Sequence, residues 1–244
     1  AWNVKLMPIK VFQSTGQGNA TTIADGVEYA SSNGATIINM SFGSYAESYT
    51  LKLTLENAYT TSILVAAAGN NGLCIGPPTP SCFPSYPAAY TYVLGVEDAA
   101  SYSNKDQDGP VYSGYLTLLN YELIAPGTSI MSTIPGGGYA TLTGTSMAAP
   151  LVAGALALYN EQNPEDSKQI MFGNLINTSG STYVDFLAAI NAEPIPELAV
   201  LNHILRDTIN SQNGNGFWQP GETIEILPLV KNYWGATDDV RVGI

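Results

Sequence analysis

The chain has 244 residues, enough to bury one large core, or one domain plus part of another. It carries 8 basic residues against 20 acidic ones, a formal charge of −12, which argues against nucleic-acid binding, since that needs a basic footprint. Only 11% of residues are charged, so the surface is polar but mostly neutral, which suits an extracellular protein; no apolar run is long enough and free enough of Gly and Pro to span a membrane.

In chain order, residues 4–12 alternate apolar and polar side chains and predict a strand. Residues 19–32, with Ile23, Val27 and Ala30 on one face, predict an amphipathic helix ending near Gly34. Residues 36–42 form a short, apolar, partly β-branched run that predicts a buried strand. Residues 48–59 place Leu51, Leu55, Ala58 and Tyr59 at helical spacing. A second buried strand at 63–68 breaks at Gly69-Asn70-Asn71-Gly72. Strand, helix, strand, helix, strand predicts βαβ units, hence an α/β fold with a mainly parallel sheet and helices on both faces.

Further strands are expected at 92–96 and 121–125. Gly136-Gly137-Gly138 reads as a turn between two strands; no helix with Lys-Ser/Thr follows, so it is not a phosphate loop. Residues 147–159 are almost uncharged and predict a helix buried on all sides, with Pro150 early enough to be tolerated. Helices are also expected at 164–176 and 183–191, with Asn163-Pro164 as cap and first helical proline.

A stiff linker at 194–197 follows Glu193 and changes the pattern to short strands at 197–205, 223–229 and near Val240. Residues 198–244 resemble the start of an immunoglobulin-like β-domain of the kind appended to secreted bacterial proteins; the matching features are Gly214-Asn215-Gly216, then Pro220-Gly221-Glu222-Thr223, then Val230-Lys231-Asn232. So short a segment is expected to leave a sandwich unclosed. Cys74 and Cys82 share one loop, where a local disulfide would contribute about 2–3 kcal/mol and imply an oxidising compartment; two free thiols are the alternative.

Gly144-Thr145-Ser146 runs into the uncharged helix, placing Ser146 at its N-terminus, where free N–H groups and the helix dipole favour negative charge. From spacing alone this is either an N-cap or a nucleophile. The full string from Gly144 through Met147-Ala148-Ala149-Pro150 to Val152-Ala153-Gly154 resembles the nucleophile segment of subtilisin-like serine proteases. The entry segment 2–12, Ile37-Ile38-Asn39-Met40-Ser41-Phe42-Gly43, Val65-Ala66-Ala67-Ala68-Gly69-Asn70, and Ile124-Ala125-Pro126-Gly127 resemble that family's motifs in the same order. The resemblance covers residues 1–191.

It implies that Ser146 attacks a peptide carbonyl and that Asn70 and the Ser146 N–H hold the oxyanion. By residue type alone, Asn70 in Gly69-Asn70-Asn71-Gly72 reads rather as a turn residue; the Ser146 segment gives the oxyanion role the lead. The resemblance also implies that a peptide or protein substrate lies extended between Ser41-Phe42-Gly43 and Ala67-Ala68-Gly69. Phe42 then favours apolar or aromatic substrate side chains, unless it serves only in core packing.

A serine nucleophile needs a base and an orienting acid. In this family the acid and histidine precede the serine, yet the only histidine, His203, follows it in a strand-like context that matches no catalytic motif. Both ends of the sequence fall in mid-pattern; the acid and base are therefore expected upstream of Ala1, and residues 1–244 alone are expected to be close to inactive. A catalytically dead homologue used as a binding or cell-surface module is the rival reading. Structural calcium is frequent in the family, but Asp98, Asp106 and Asp108 lack calcium-loop spacing and read as a solvated acidic loop. No metal site is assigned.

Overall fold

The computed structural model describes residues 4–72, 74–75, 84–90, 92–106, 123–179, 183–192, 198–206 and 225–232. Its centre is a parallel four-stranded sheet in the order β1 (Ile37–Met40), β2 (Ile63–Ala67), β4 (Leu94–Glu97), β6 (Leu123–Ile124). The two-residue strands β3 (Cys74–Ile75) and β5 (Lys105–Asp106) pair in parallel beside it.

Both faces of the sheet are covered, which is why β2 is buried at every position. Side chains alternate across a strand, so Leu64 and Ala66 join one core while Ile63, Val65 and Ala67 join the other. The first core is closed by α1 (Ala20–Ser32) through Ile23, Ala24, Val27 and Ala30, and by α2 (Tyr49–Tyr59) through Leu51, Leu55 and Ala58. Each helix starts at a side-chain cap: Asn19 Oδ1 accepts from the Thr22 N–H at 2.8 Å, and Ser48 Oγ from the Leu51 N–H at 3.3 Å. α1 ends at Asn33, after which Gly34 takes φ 82°, a turn that only glycine makes without strain.

The second core is closed by α3 (Thr145–Gln162), α4 (Lys168–Ser179) and α5 (Phe186–Ile190). Between β6 and α3, β7 (Ile130–Thr133) and β8 (Tyr139–Leu142) form an antiparallel hairpin around the glycine turn, where Gly136, Gly137 and Gly138 all have positive φ. β9 (Leu198–Arg206) pairs antiparallel with β10 (Glu225–Asn232), and the register shifts between Leu229 and Val230. The linker at 194–197 lies outside the described residues.

Four expectations are corrected. Residues 4–12 join no ladder among the described residues: Leu6 is 88% exposed, while Ile9, Val11 and Phe12 pack on the first core. Alternation alone makes no strand without a hydrogen-bonding neighbour. α3 is not buried all round. Thr145, Ala148, Ala149, Val152, Leu156 and Tyr159 form one buried stripe, whereas Leu151 and Leu158 on the rest of the helix are each 41% exposed. The lack of charge reflects small residues that let α3 lie close on the sheet, not burial on every side.

Asn163 does not open the next helix. It terminates α3, its backbone N–H reaching the Tyr159 carbonyl, and its side chain donates to the Ile190 carbonyl at 3.1 Å. Residues 164–167 form a turn, and Ser167 Oγ instead receives the Ile170 N–H at the start of α4. Tyr183 likewise stays outside α5, which Asp185 caps.

Candidate active site

α3 begins without a side-chain cap, at Gly144. Its first backbone donors are therefore open to other partners. The Thr145 N–H donates to Asn70 Oδ1 at 2.8 Å, and the Thr145 hydroxyl donates to the same oxygen at 3.0 Å. The Thr145 oxygen in turn accepts the Gly69 N–H at 3.0 Å. Two donors converging on one atom require the amide oxygen there, so the Asn70 NH2 is turned away from Thr145. Neither that NH2 nor the Ser146 N–H has an acceptor among the described residues.

Gly144 suits this close approach: a Cβ there would stand 3.2 Å from Asn70 Nδ2, so the amide would have to give way. Asn104 clamps the Asn70 loop from behind. Fully buried, it accepts the Asn71 N–H at 3.1 Å, donates to the Ala68 carbonyl at 2.9 Å, and gives its backbone N–H to the Gly69 carbonyl at 2.8 Å. Gly69 has φ 104°, and a Cβ on it would come within 2.5 Å of the Asn104 amide.

Ser146 and Ser41 are joined twice. The Ser146 hydroxyl donates to the Ser41 carbonyl at 3.3 Å, and the Ser41 hydroxyl donates to the Ser146 carbonyl at 2.9 Å. The second bond has a cause in the sequence. In an α-helix the Ser146 carbonyl would accept the N–H of residue 150, but Pro150 has none. Pro150 is the sixth residue of α3, past the four donors that are unpaired in any helix, so its missing N–H is made good by Ser41. Asn39 Nδ2 donates to Ser41 Oγ at 3.0 Å and fixes that hydroxyl.

Ser41, Gly69, Asn70 and Ser146 thus meet at one end of the sheet, where β1 and β2 finish and α3 starts. Phe42 is half-buried against the first core and meets Phe12 edge-on, ring centroids 5.2 Å apart. Gly43 leaves room for Ser85, whose hydroxyl would lie 2.6 Å from a Cβ there. Ala67 and Ala68 are buried, and the Ala68 backbone is committed to Val96 and Asn104; Gly69 is the member of that trio that reaches the surface. His203 lies in β9, its backbone opposite Pro228.

Asp98 departs from its expected solvated setting. It is 3% exposed, and its carboxylate accepts from Tyr102 OH, from Thr128 Oγ1 at 2.7 Å and from the Gly127 N–H at 3.2 Å. Burial alone would raise its pKa, but the hydrogen bonds from Tyr102, Thr128, Gly127 and Ala99 outweigh it and hold the carboxyl below its usual value. These protein donors leave Asp98 poorly suited to a cation. No group of three or more His, Cys, Asp or Glu able to hold a metal occurs among the described residues. The Asp106 side chain, Asp108 and the Cys74–Cys82 pairing lie outside them.

Sequence reading missed Thr145, Asn104 and Phe12 as supports of the site. Thr145 is adjacent to the nucleophile candidate and could have been found there; Asn104 carries no local signal, since its partners are more than thirty residues away.

Residues 1–216 match the Subtilase family, and the chain belongs to that family. It is 37% identical over 195 residues to an alkaline protease of Alkalihalobacillus alcalophilus, covering 78% of this chain and 48% of the relative. It is 36% identical to Subtilisin Savinase of Lederbergia lenta, covering 78% and 67%. Of those two relatives, then, the chain spans about half of one and two thirds of the other. Among solved structures, a protease from Pseudoalteromonas arctica matches at 27% identity and TM-score 0.65, over 78% of this chain and 63% of that one. A cold-adapted subtilisin-like serine proteinase matches at 28% and 0.59, over 73% and 62%. The parallel sheet with helices on both faces is the fold these likenesses share.

Proposed function

We propose that the chain is the nucleophile-bearing part of a serine endopeptidase of the subtilisin type. The observation that carries this is the pairing of Ser146, at an uncapped helix start, with an Asn70 amide whose oxygen is held by Thr145 and whose NH2 has no acceptor among the described residues. Attack by Ser146 Oγ on a peptide carbonyl gives a tetrahedral oxyanion. Asn70 Nδ2 and the Ser146 N–H are the donors that receive it, and the acyl-enzyme follows.

Residues 1–202 contain no histidine, and the reading assigns the base that Ser146 needs, with its orienting acid, to sequence outside these 244 residues. The substrate is a peptide or protein, lying extended along Ser41–Gly43 on one side and the Ala67–Gly69 end on the other, with Phe42 favouring apolar side chains. The peptidase part is residues 1–193. Residues 198–244 begin an accessory β-domain, although the family match itself runs on to residue 216. The sparse charge and the proposed Cys74–Cys82 bridge support an extracellular location; among the described residues no helix is long and apolar enough to cross a membrane.

The test is hydrolysis of an unstructured protein substrate by the chain expressed with its preceding sequence. Hydrolysis lost on Ser146→Ala is the expected result. A folded wild-type protein that cleaves nothing and takes up no fluorophosphonate would support the inactive binding module instead.

A further inference from the structure

The loop between β6 and β7 connects a buried carboxylate to the nucleophile segment by a short path. Asp98 follows β4 directly, and its carboxylate accepts the Gly127 N–H at 3.2 Å. The Gly127 carbonyl accepts the Gly144 N–H at 2.9 Å, and the Gly144 carbonyl accepts the Met147 N–H at 2.9 Å. Gly144 also abuts the Asn70 amide. Two residues, Gly127 and Gly144, therefore stand between Asp98 and the Asn70 amide, and the same two lead into the first turn of α3, which carries the Ser146 N–H.

The path has no slack. A Cβ on Gly127 would meet the Gly144 carbonyl oxygen at 2.7 Å and the Asp98 side chain at 3.1 Å, so Gly127 is packed tightly between the Gly144 backbone and the Asp98 side chain. Thr128 Oγ1 donates to Asp98 at 2.7 Å and also lies 3.1 Å from Tyr102 OH. Ser129 is held at φ 58°, sparsely populated for a residue other than glycine, and its N–H donates to Thr143 Oγ1 at 2.9 Å. The loop is thus tied to the segment before the nucleophile at Thr143 and Gly144, and on the β4 side to Asp98, to Tyr102 and, through the Ala125 N–H at 3.1 Å, to the Glu97 carbonyl.

We infer that Asp98 is a positioning residue for the proposed reaction, holding Gly127 so that Gly144 sets the Ser146 and Asn70 donors at oxyanion geometry. It touches no substrate. The inference rests on the reading of Ser146 and Asn70 as nucleophile and oxyanion donor. Among the described residues, the charged and titratable groups near Asp98 include Tyr102, on its carboxylate, Tyr183, which acts on Tyr102, and Lys105, whose ammonium bonds the Asp98 backbone carbonyl and lies 3.2 Å from the Glu97 carboxylate.

The test is kinetic, on the full chain with its preceding sequence, at a temperature well below the melting point of each variant. Asp98→Asn keeps the shape but puts an NH2 where Thr128 and Tyr102 donate. A displacement of about 1 Å costs on the order of 10²-fold in rate. The expected result is a kcat lower by about 10- to 100-fold with KM within about threefold, and fluorophosphonate labelling of Ser146 slowed in proportion. If Asp98→Asn does not fold, the double variant Tyr102→Phe, Thr128→Val removes both side-chain donors and leaves the carboxylate; kcat is then expected to fall several-fold at constant KM. A folded variant with kcat within twofold of wild type and only a lower melting temperature would overturn the inference. Activity that survives Ser146→Ala would instead overturn the reading of the site on which it rests.

Discussion

On one face of the sheet, α1 and α2 start at Asn19 and Ser48, whose side chains satisfy first-turn N–H groups. On the other, α3 starts at Gly144, with no side-chain cap, carries Pro150 in its second turn, and leaves the Ser146 N–H without an acceptor among the described residues. An N-cap contributes about 1 kcal/mol. The first two helices use their ends for stability, whereas α3 leaves its end open where the oxyanion is proposed to form. Partners distant in sequence repair the damage: Asn70 takes the Thr145 N–H, and Ser41 takes the carbonyl that Pro150 leaves open.

The contrast can be broken from the α3 side first. Asn70→Ala is expected to lower kcat by about 10²–10³ with little change in KM, the magnitude known for removing such a donor in subtilisin itself; steady-state kinetics on a peptide substrate checks it. Ser41→Ala leaves the Ser146 carbonyl short of a donor, a loss of about 1–3 kcal/mol in denaturant stability, together with slower labelling of Ser146. On the capped face, Ser48→Ala is expected to cost about 1 kcal/mol in stability and leave kcat and KM unchanged.

The smallest effect is an alkaline one. Burial, then the hydrogen bond to Asp166, pushes the Tyr159 hydroxyl up to about 12, while the Asn174 donor opposes the shift. The folded state thus binds this proton more tightly than the unfolded chain, where the ordinary value is about 10. The stability this gives is complete below about pH 10 and lost as pH rises through about 12. Tyr159→Phe lacks the bonds to Asp166 and Asn174, both 2.6 Å. Its deficit of about 1 kcal/mol at neutral pH is expected to shrink between pH 10 and 12 in urea titrations.

Local pattern made much of this fold legible. The spacing of Ile23, Val27 and Ala30, that of Leu51, Leu55 and Ala58, and the apolar run of β2 each state their own structure. Ser146 and Asn70 were legible because the residues flanking them form a long, ordered match to one family. Period does not name a partner, however, so residues 4–12 carry a strand pattern without joining a ladder among the described residues. Low charge did not distinguish a helix buried all round from one laid closely on a sheet. Asp98 and Asn104 escaped because their roles depend on groups brought from distant loops, and an aspartate in a polar stretch reads as solvated until its donors are seen.

The central claim is that Ser146, at the open start of α3, is a nucleophile facing an Asn70 oxyanion donor. The most direct measurement is peptide mapping by mass spectrometry after treating the chain, with its preceding sequence, with a fluorophosphonate. One adduct is expected, on Ser146, absent from Ser146→Ala and formed about 10²-fold or more slowly in Asn70→Ala. An adduct on another residue, or labelling of Ser146 at an unchanged rate in Asn70→Ala, would contradict it.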